Sequence, residues 1–189
     1  NYPHHDHDHN YHNHNGPVTM DFDKGTQAGL LLAVRDRLID AIPELNESNC
    51  LMCDYELPAQ LLDSLICTVS AGDGQFDVSL FAGGGHATLA EEITVSVALF
   101  RMVAIDRTDS TEQALIAANG FVSDWKPRFL RALLLDQHGN PWEPMHNGRA
   151  MLRDQLQPAT YTAPRPLETE GGGYLWSVLR FRAYFDWDL

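Results

Sequence analysis

Basic residues are scarce in this chain. Its 189 residues include 13 lysines and arginines against 26 aspartates and glutamates, for a formal net charge of −13. Proteins that hold nucleic acid through its phosphates need clustered basic side chains. The one locally basic stretch is WKPRFLR, with Lys126, Arg128 and Arg131. The composition therefore argues against general nucleic-acid binding, and we expect these three side chains to form a solvated helix face or a subunit contact.

Cysteine and long apolar runs are scarce as well. The three cysteines are Cys50, Cys53 and Cys67, and an odd, small number favours free thiols in a reducing compartment. CLMC has the spacing of a metal knuckle or of a redox pair, but zinc sites of this type use a second such pair. We therefore interpret Cys50 and Cys53 as small apolar residues beside an extended segment. No run of about 18 apolar residues is present, which predicts a soluble protein.

Histidine is concentrated at the start of the chain, in the stretch HHDHDHNYHNHN. The six candidate metal ligands there are His4, His5, His7, His9, His12 and His14. Imidazoles capture zinc, nickel or copper, but a structural site needs ligands held by a fold, and this polar run has no apolar partner. We treat residues 1–19 as a leader or arm, either an engineered tag or a native extension. Residues 20–189 have the size of a single domain.

The first half of this domain changes from helical to strand periodicity. TQAGLLLAVRDRLIDAIPEL predicts an amphipathic helix that ends near Pro43. Its expected apolar face is Leu30, Leu31, Val34, Leu38, Ala41, Ile42 and Leu45. A short strand is expected at Ile66 to Val69, followed by a turn at AGDG that leads into Phe76. The alternation in EEITVSVALFRMVAIDR predicts the strongest strand.

The second half predicts helix, then irregular chain, then strand. Ser110 and Gln113 form a capping-box pattern, and Pro127 either kinks one long helix or starts a second one. We expect segment 136–173 to be long and irregular, with a short helix at GRAMLRDQL. YLWSVLRFRAYFDWDL predicts a long strand with one buried face. That face would carry Leu175, Leu179, Phe181, Ala183, Phe185, Trp187 and Leu189.

This order of elements predicts an α+β fold, with a mostly antiparallel sheet and helices packed on one face. No stretch places a nucleophile beside a base in a recognisable context. Glu91 and Glu92 are strand neighbours that would point to opposite faces, so they could not form an acid and base pair. We expect a protein that is not an enzyme and uses no cofactor.

The elements that carry a resemblance to a known family are the N-terminal helix, the GDGQFDVSLFAGGG region, the strand ITVSVALFRMVAIDR, the helix after it and the terminal strand LWSVLRFRAYFDWDL. The order of these elements resembles that of the tail terminator proteins of long-tailed bacteriophages and related particles. The resemblance spans about residues 26–189. It implies a virion protein, made in the bacterial cytoplasm, whose ring of six copies caps the tail tube and joins it to the head-side neck. It implies no catalytic residue. The alternatives are another ring component of the neck, or a metal-binding module that uses the leader.

Assembly into a ring makes two further predictions. An open edge of the terminal strand, or the irregular segment, would pair with another subunit, unless that strand is central and the loops only decorate a monomer. DNA would pass through the bore without specific binding, because carboxylates on the wall repel phosphate. The candidate bore or interface carboxylates are Asp73, Asp77, Glu91 and Glu92.

Overall fold

A computed structural model describes residues 27–53, 65–77, 88–103, 111–146, 149–169 and 172–188. They form an α+β fold with two helices, a six-stranded, mostly antiparallel sheet and a separate strand pair. The helices are α1 (Gln27–Ala41) and α2 (Thr111–Leu134). The strands are β1 (Cys50–Met52), β2 (Leu65–Asp77), β3 (Thr88–Val103), β4 (Met145–His146), β5 (Arg149–Ala150), β6 (Gln157–Tyr161), β7 (Arg165–Thr169) and β8 (Gly172–Asp188). Neither helix is long and apolar enough to cross a membrane.

The terminal strand β8 is central in the sheet. The strand order is β1-β2-β3-β8-β6, and β7 also pairs with β8. β3 and β8 pair along their whole length, from Thr88 opposite Asp188 to Val103 opposite Gly173. The expectation of an open edge on the terminal strand is wrong for its part from Gly172 to Arg182, because β6 and β7 hydrogen-bond to that side. Beyond Arg182 no described strand pairs with β8 on this side, although the N–H of Arg153 donates to Tyr184 O there.

Segment 136–173 is not the irregular connection that we expected. It contains β4, β5, β6 and β7. The predicted helix at GRAMLRDQL is also wrong, because the backbone donors there bond to other segments instead of to their own preceding turn. The N–H of Met151 donates to Pro144 O at 2.9 Å, and the N–H of Arg153 donates to Tyr184 O at 2.9 Å.

Thr162 joins β6 and β7 into one edge of the sheet. Its N–H donates to Val178 O at 2.9 Å, and its Oγ1 accepts the N–H of Val178 at 2.9 Å. The hydroxyl of Ser177 donates to Thr162 O at 2.7 Å. The two short strands therefore follow β8 without leaving its backbone groups unpaired at the break.

The AGDG stretch lies inside β2 and is not a turn. The pairing with β3 moves from Ala71 opposite Val95 to Gly74 opposite Ile93, so β2 accommodates one extra residue. An extra residue reverses which side chains face each side of a strand. Without the extra residue, the alternation of β2 would place Phe76 on the face opposite to Cys67 and Val69. With it, Phe76 lies on the same face as these two residues and as its partner Glu91.

Both helices cover one face of the sheet. α1 is confirmed and buries Leu30, Leu31, Val34 and Leu38, although Ala41 is exposed. α2 is one helix that contains Pro127, as the first of the two alternatives predicted. It buries Phe121, Trp125, Phe129, Ala132 and Leu133 against alternate residues of β2, β3 and β8. The position of the core is thus set by the amphipathic faces of the helices.

The opposite face of the sheet has a smaller core of its own. It consists of Ile66, Ala98, Phe100, Tyr174 and Val178. The prediction of one buried face for β8 is correct around Phe181 and Phe185, but incomplete, because Tyr174 and Val178 on the other face are also buried.

Candidate subunit interface

The outer edge of β2 has no described strand beside it over half of its length. Among the described strands, β1 alone lies on this edge, and it ends with Met52 opposite Val69. The part of β2 from Ala71 to Asp77 therefore has no described strand beside it. Phe76 lies there with 60% of its surface exposed, and Asp73, at the register shift, is also exposed.

The opposite edge of the sheet is formed by β6 and β7. All five residues of β6 are exposed, and no described strand lies beyond them. Tyr161 is 55% exposed, and the ammonium of Lys126 lies 4.3 Å from the centre of its ring. A cation at this distance is attracted by the negative face of the ring, which holds Lys126 of α2 at this edge.

The acidic candidates lie together on β2 and β3 but face in two directions. Glu91 pairs with Phe76 and with Phe185, which packs under the helices, so Glu91 is on the helix-covered face. Glu92 is on the other face, where Arg182 Nε lies 3.4 Å from its Oε1. Asp77 ends β2, and its side chain lies outside the described part. The prediction that Glu91 and Glu92 point to opposite faces is confirmed by this register.

The basic candidates on α2 do not form one patch. Lys126 lies at the β6 edge, whereas Arg128 pairs with Glu44, with Nη1 and Oε1 3.0 Å apart. The hydrogen bond from Arg128 lowers the pKa of Glu44 and raises the pKa of Arg128 itself. Arg131 is exposed and, together with Arg128, lines a cleft of about 590 Å³ between the ends of the helices.

Arg37 crosses the same cleft and fastens α1 to α2. Its Nε donates to Ala132 O at 3.0 Å, and its Nη2 donates to Leu135 O at 2.7 Å. These carbonyls are at the C-terminus of α2, where a helix lacks internal donors and carries partial negative charge. The guanidinium of Arg37 therefore has a structural role.

A second cleft, of about 640 Å³, opens at one end of the sheet. Glu44, Asn46, Ser48, Asn49, Leu65, Arg101, Met102, Asp124 and Trp125 line it. Its amides are used by the loop after α1, since Asn49 Nδ2 donates to Glu44 O at 3.0 Å and Asn49 Oδ1 accepts the N–H of Asn46 at 2.8 Å. The described residues of this cleft place no nucleophile beside a base.

The cysteines lie at the β1 end of the sheet. Cys50 is opposite Cys67 across the parallel pair, and both are buried. Burial raises the pKa of the Cys67 thiol well above its usual range, and a hydrogen bond with Cys50 adds to the effect. A thiol with a raised pKa is a poor nucleophile and a poor metal ligand.

The described residues contain no group of three side chains suited to hold a metal. The six leader histidines lie outside the described residues.

Two exposed residues at these edges were not among the sequence candidates. Phe76 was expected to lead into a strand after a turn, and Tyr161 lay in the segment predicted to be irregular. The β-prone run Thr160, Tyr161 and Thr162 was the available signal for an edge strand. Comparison with protein-family models and with characterised proteins found no match for this chain.

Proposed function

We propose that this chain is a structural subunit of a bacteriophage tail or a related particle, and that a ring of six copies ends the tail tube and joins it to the head-side neck. The order of its elements, which resembles that of tail terminators, supports the family. The single observation that carries the proposal of a ring is that two different edges of one sheet have no neighbouring strand among the described residues.

Two different edges suit repeated head-to-tail contact. β2, β3, β8 and β6 are successively antiparallel, so β2 and β6 run in opposite directions. A second copy in nearly the same orientation therefore presents its β2 antiparallel to β6 of the first. A contact between two unlike surfaces repeats from copy to copy, and it closes into a ring when its rotation divides the full circle.

The charge of the chain fits a ring that DNA crosses without being retained. The formal charge is −13. Of the basic candidates on α2, Lys126 lies at the β6 edge, apart from Arg128 and Arg131, which line one cleft where Arg128 is paired with Glu44. An acidic wall repels phosphate, whereas a basic wall would bind DNA with release of counterions. The proposed protein partners are the tail tube protein and the head-side neck protein.

Molar mass and electron microscopy test this proposal. We expect light scattering to give the mass of six copies and images to show rings. If a variant that lacks residues 1–19 still forms rings, this result would exclude a function that depends on the histidine-rich leader. Binding of the ring to isolated tail tubes, but not to tubes already capped, distinguishes a terminator from another neck component. A monomer at every concentration, or rings that retain DNA at physiological salt, would contradict the proposal.

A further inference from the structure

We propose that neighbouring copies of this chain meet edge to edge, with the Ala71–Asp77 part of β2 in one copy against β6 (Gln157–Tyr161) of the next, and with Phe76 of one copy and Tyr161 of the other as neighbours on the same face of the joined sheet. The inference rests on the proposed ring, and it identifies the surfaces that form it.

Phe76 and Tyr161 are on the same face of the sheet, at its two opposite edges. Phe76 is on the helix-covered face because the extra residue near Ala71 reverses the alternation of β2. Tyr161 pairs with Leu179, which packs against the core under the helices. Two edges that meet in the same orientation therefore bring both aromatic rings to one side of the new strand pair. Aromatic pairs across neighbouring strands are among the favourable contacts in sheets.

The aromatic rings of Phe76 and Tyr161 are not part of the core of a single copy. Phe76 is 60% exposed and Tyr161 is 55% exposed, whereas Phe181 and Phe185, on the same face of the sheet, are 0% and 3% exposed. Phe76 and Tyr161 lie on the outermost strands of the described sheet, with no described strand beyond them. A second copy supplies a strand to both at once.

The charges beside the two rings are complementary. Glu91 is the cross-strand partner of Phe76, and its Oε1 lies 3.3 Å from the position of a Cβ added to Gly74, so the carboxylate reaches over β2. Asp73 adds a second acid at this edge. The ammonium of Lys126 lies over Tyr161 at the other edge. Opposite charges on two surfaces favour their contact over contact with a like-charged partner.

The edges also limit pairing with other chains. β6 contains Pro158, which lacks an N–H, and its register with β8 shifts by one residue between Pro158 and Thr160. β2 has its own extra residue between Ala71 and Gly74. Prolines and such shifts protect open edges from indiscriminate pairing. The aromatic pair and the charges therefore decide which strand docks, and a second copy of this chain carries both complements.

Disulfide cross-linking tests the contact directly. The test uses the full chain with Cys53→Ser, which removes the partly exposed thiol, and adds Phe76→Cys and Tyr161→Cys. Under mild oxidation we expect a ladder of covalent oligomers up to the full ring on a non-reducing gel. The matched control replaces Phe76→Cys by Ile116→Cys, at a side chain of α2 that is 64% exposed and about 15 Å along the helix from Lys126. The control should remain uncross-linked.

Charge reversal gives a second measurement that does not alter the aromatic residues. Lys126→Glu alone and Glu91→Lys alone should each shift the population from rings to monomers. The double variant should restore rings, because the pair is re-formed across the contact with its signs exchanged.

The results separate failure of this contact from failure of the ring. Rings without cross-links between positions 76 and 161, and without rescue by the double charge reversal, would overturn the edge-to-edge contact and leave the ring intact. A protein that stays monomeric at every concentration would overturn both. Cross-links with a mass limited to two copies would support the contact and contradict the closed ring. Equal cross-linking in the Ile116→Cys control would also overturn the contact.

Discussion

The two faces of the sheet are built from the same strands but are stabilised differently. On the helix-covered face, β2, β3 and β8 contribute large apolar side chains that pack against both helices. On the other face, the buried apolar residues are Ile66, Ala98, Phe100, Tyr174 and Val178. The hydroxyl residues Thr68, Ser70 and Ser96 are buried in the same alternation.

The difference shows how much of a core depends on its covering layer. The amphipathic faces of α1 and α2 exclude water from a wide area of the first face. The second face relies on a few large side chains that cover their neighbours, such as Trp176, whose ring stacks on Phe100 with centroids 6.0 Å apart. We therefore expect the helix-covered face to dominate the free energy of unfolding, and four predictions test this.

The largest expected effect is at the centre of the helix-covered face. Phe181 is fully buried, and removing such a ring leaves a cavity, so Phe181→Ala should lower the free energy of unfolding by about 3–5 kcal/mol. Phe76→Ala is the matched control, since this phenylalanine is exposed and should cost less than about 0.5 kcal/mol in a single copy. Urea denaturation of the dissociated protein measures both. Equal losses would contradict the assigned faces.

The next effect compares the faces directly. Val178 on the second face and Val97 on the helix-covered face are both buried. Each Val→Ala change removes two buried methyl groups, which corresponds to about 1.6 kcal/mol before any cavity cost. Val97→Ala should cost at least as much as Val178→Ala, because the helix layer cannot close over the gap. No loss for Val178→Ala would show that the second face is not a true core.

A smaller effect is expected where the helix layer is fastened. Arg37→Met keeps an apolar stem but removes both hydrogen bonds to the last carbonyls of α2, and the cost should be roughly 1 kcal/mol. Arg35→Met is the control, because Arg35 pairs only with its exposed neighbour Asp36 among the contacts of the described residues. A melting temperature that falls by the same amount in both variants would refute the role of Arg37.

The smallest effect concerns the outer ion pair of the helix layer. Arg128 lowers the pKa of Glu44, so the pair stabilises the folded chain above the ordinary pKa of 4.5 and this stability is lost as the pH falls through the lowered value. Both side chains are at least one third exposed, and solvent limits the contribution to less than about 1 kcal/mol. Glu44→Gln should remove part of the acid sensitivity of unfolding at low salt. An unchanged pH profile would exclude the contribution.

The elements that the sequence predicted correctly and those that it did not differ for physical reasons. The periodicity of TQAGLLLAVRDRLIDAIPEL and of ITVSVALF was sufficient for α1 and β3, because each pattern is local and repeats over many residues. AGDG was mistaken for a turn because Gly72 and Gly74 fit a turn as well as an irregular strand, and only the pairing with β3 selects the strand. For the candidate interface, the sequence pointed to Asp73, Glu91 and Lys126 by their charge. The β-prone run around Tyr161 was a weak signal for an edge strand, and the exposure of Phe76 and Tyr161 is a result of the tertiary structure.

The sequence by itself determined the fold class, the main helices and long strands, the acidic charge and the opposite orientations of Glu91 and Glu92, because composition and the periods of 2 and 3.6 residues are local properties. The tertiary structure decided which strands are central and which edges are open. β8 has the alternation of a strand with one buried face, yet β6 and β7 cover its edge from Gly172 to Arg182 and place Tyr161 at the margin of the sheet. Strand pairing joins residues far apart in the chain through backbone groups that every residue carries, so side-chain patterns leave the order of the strands undetermined.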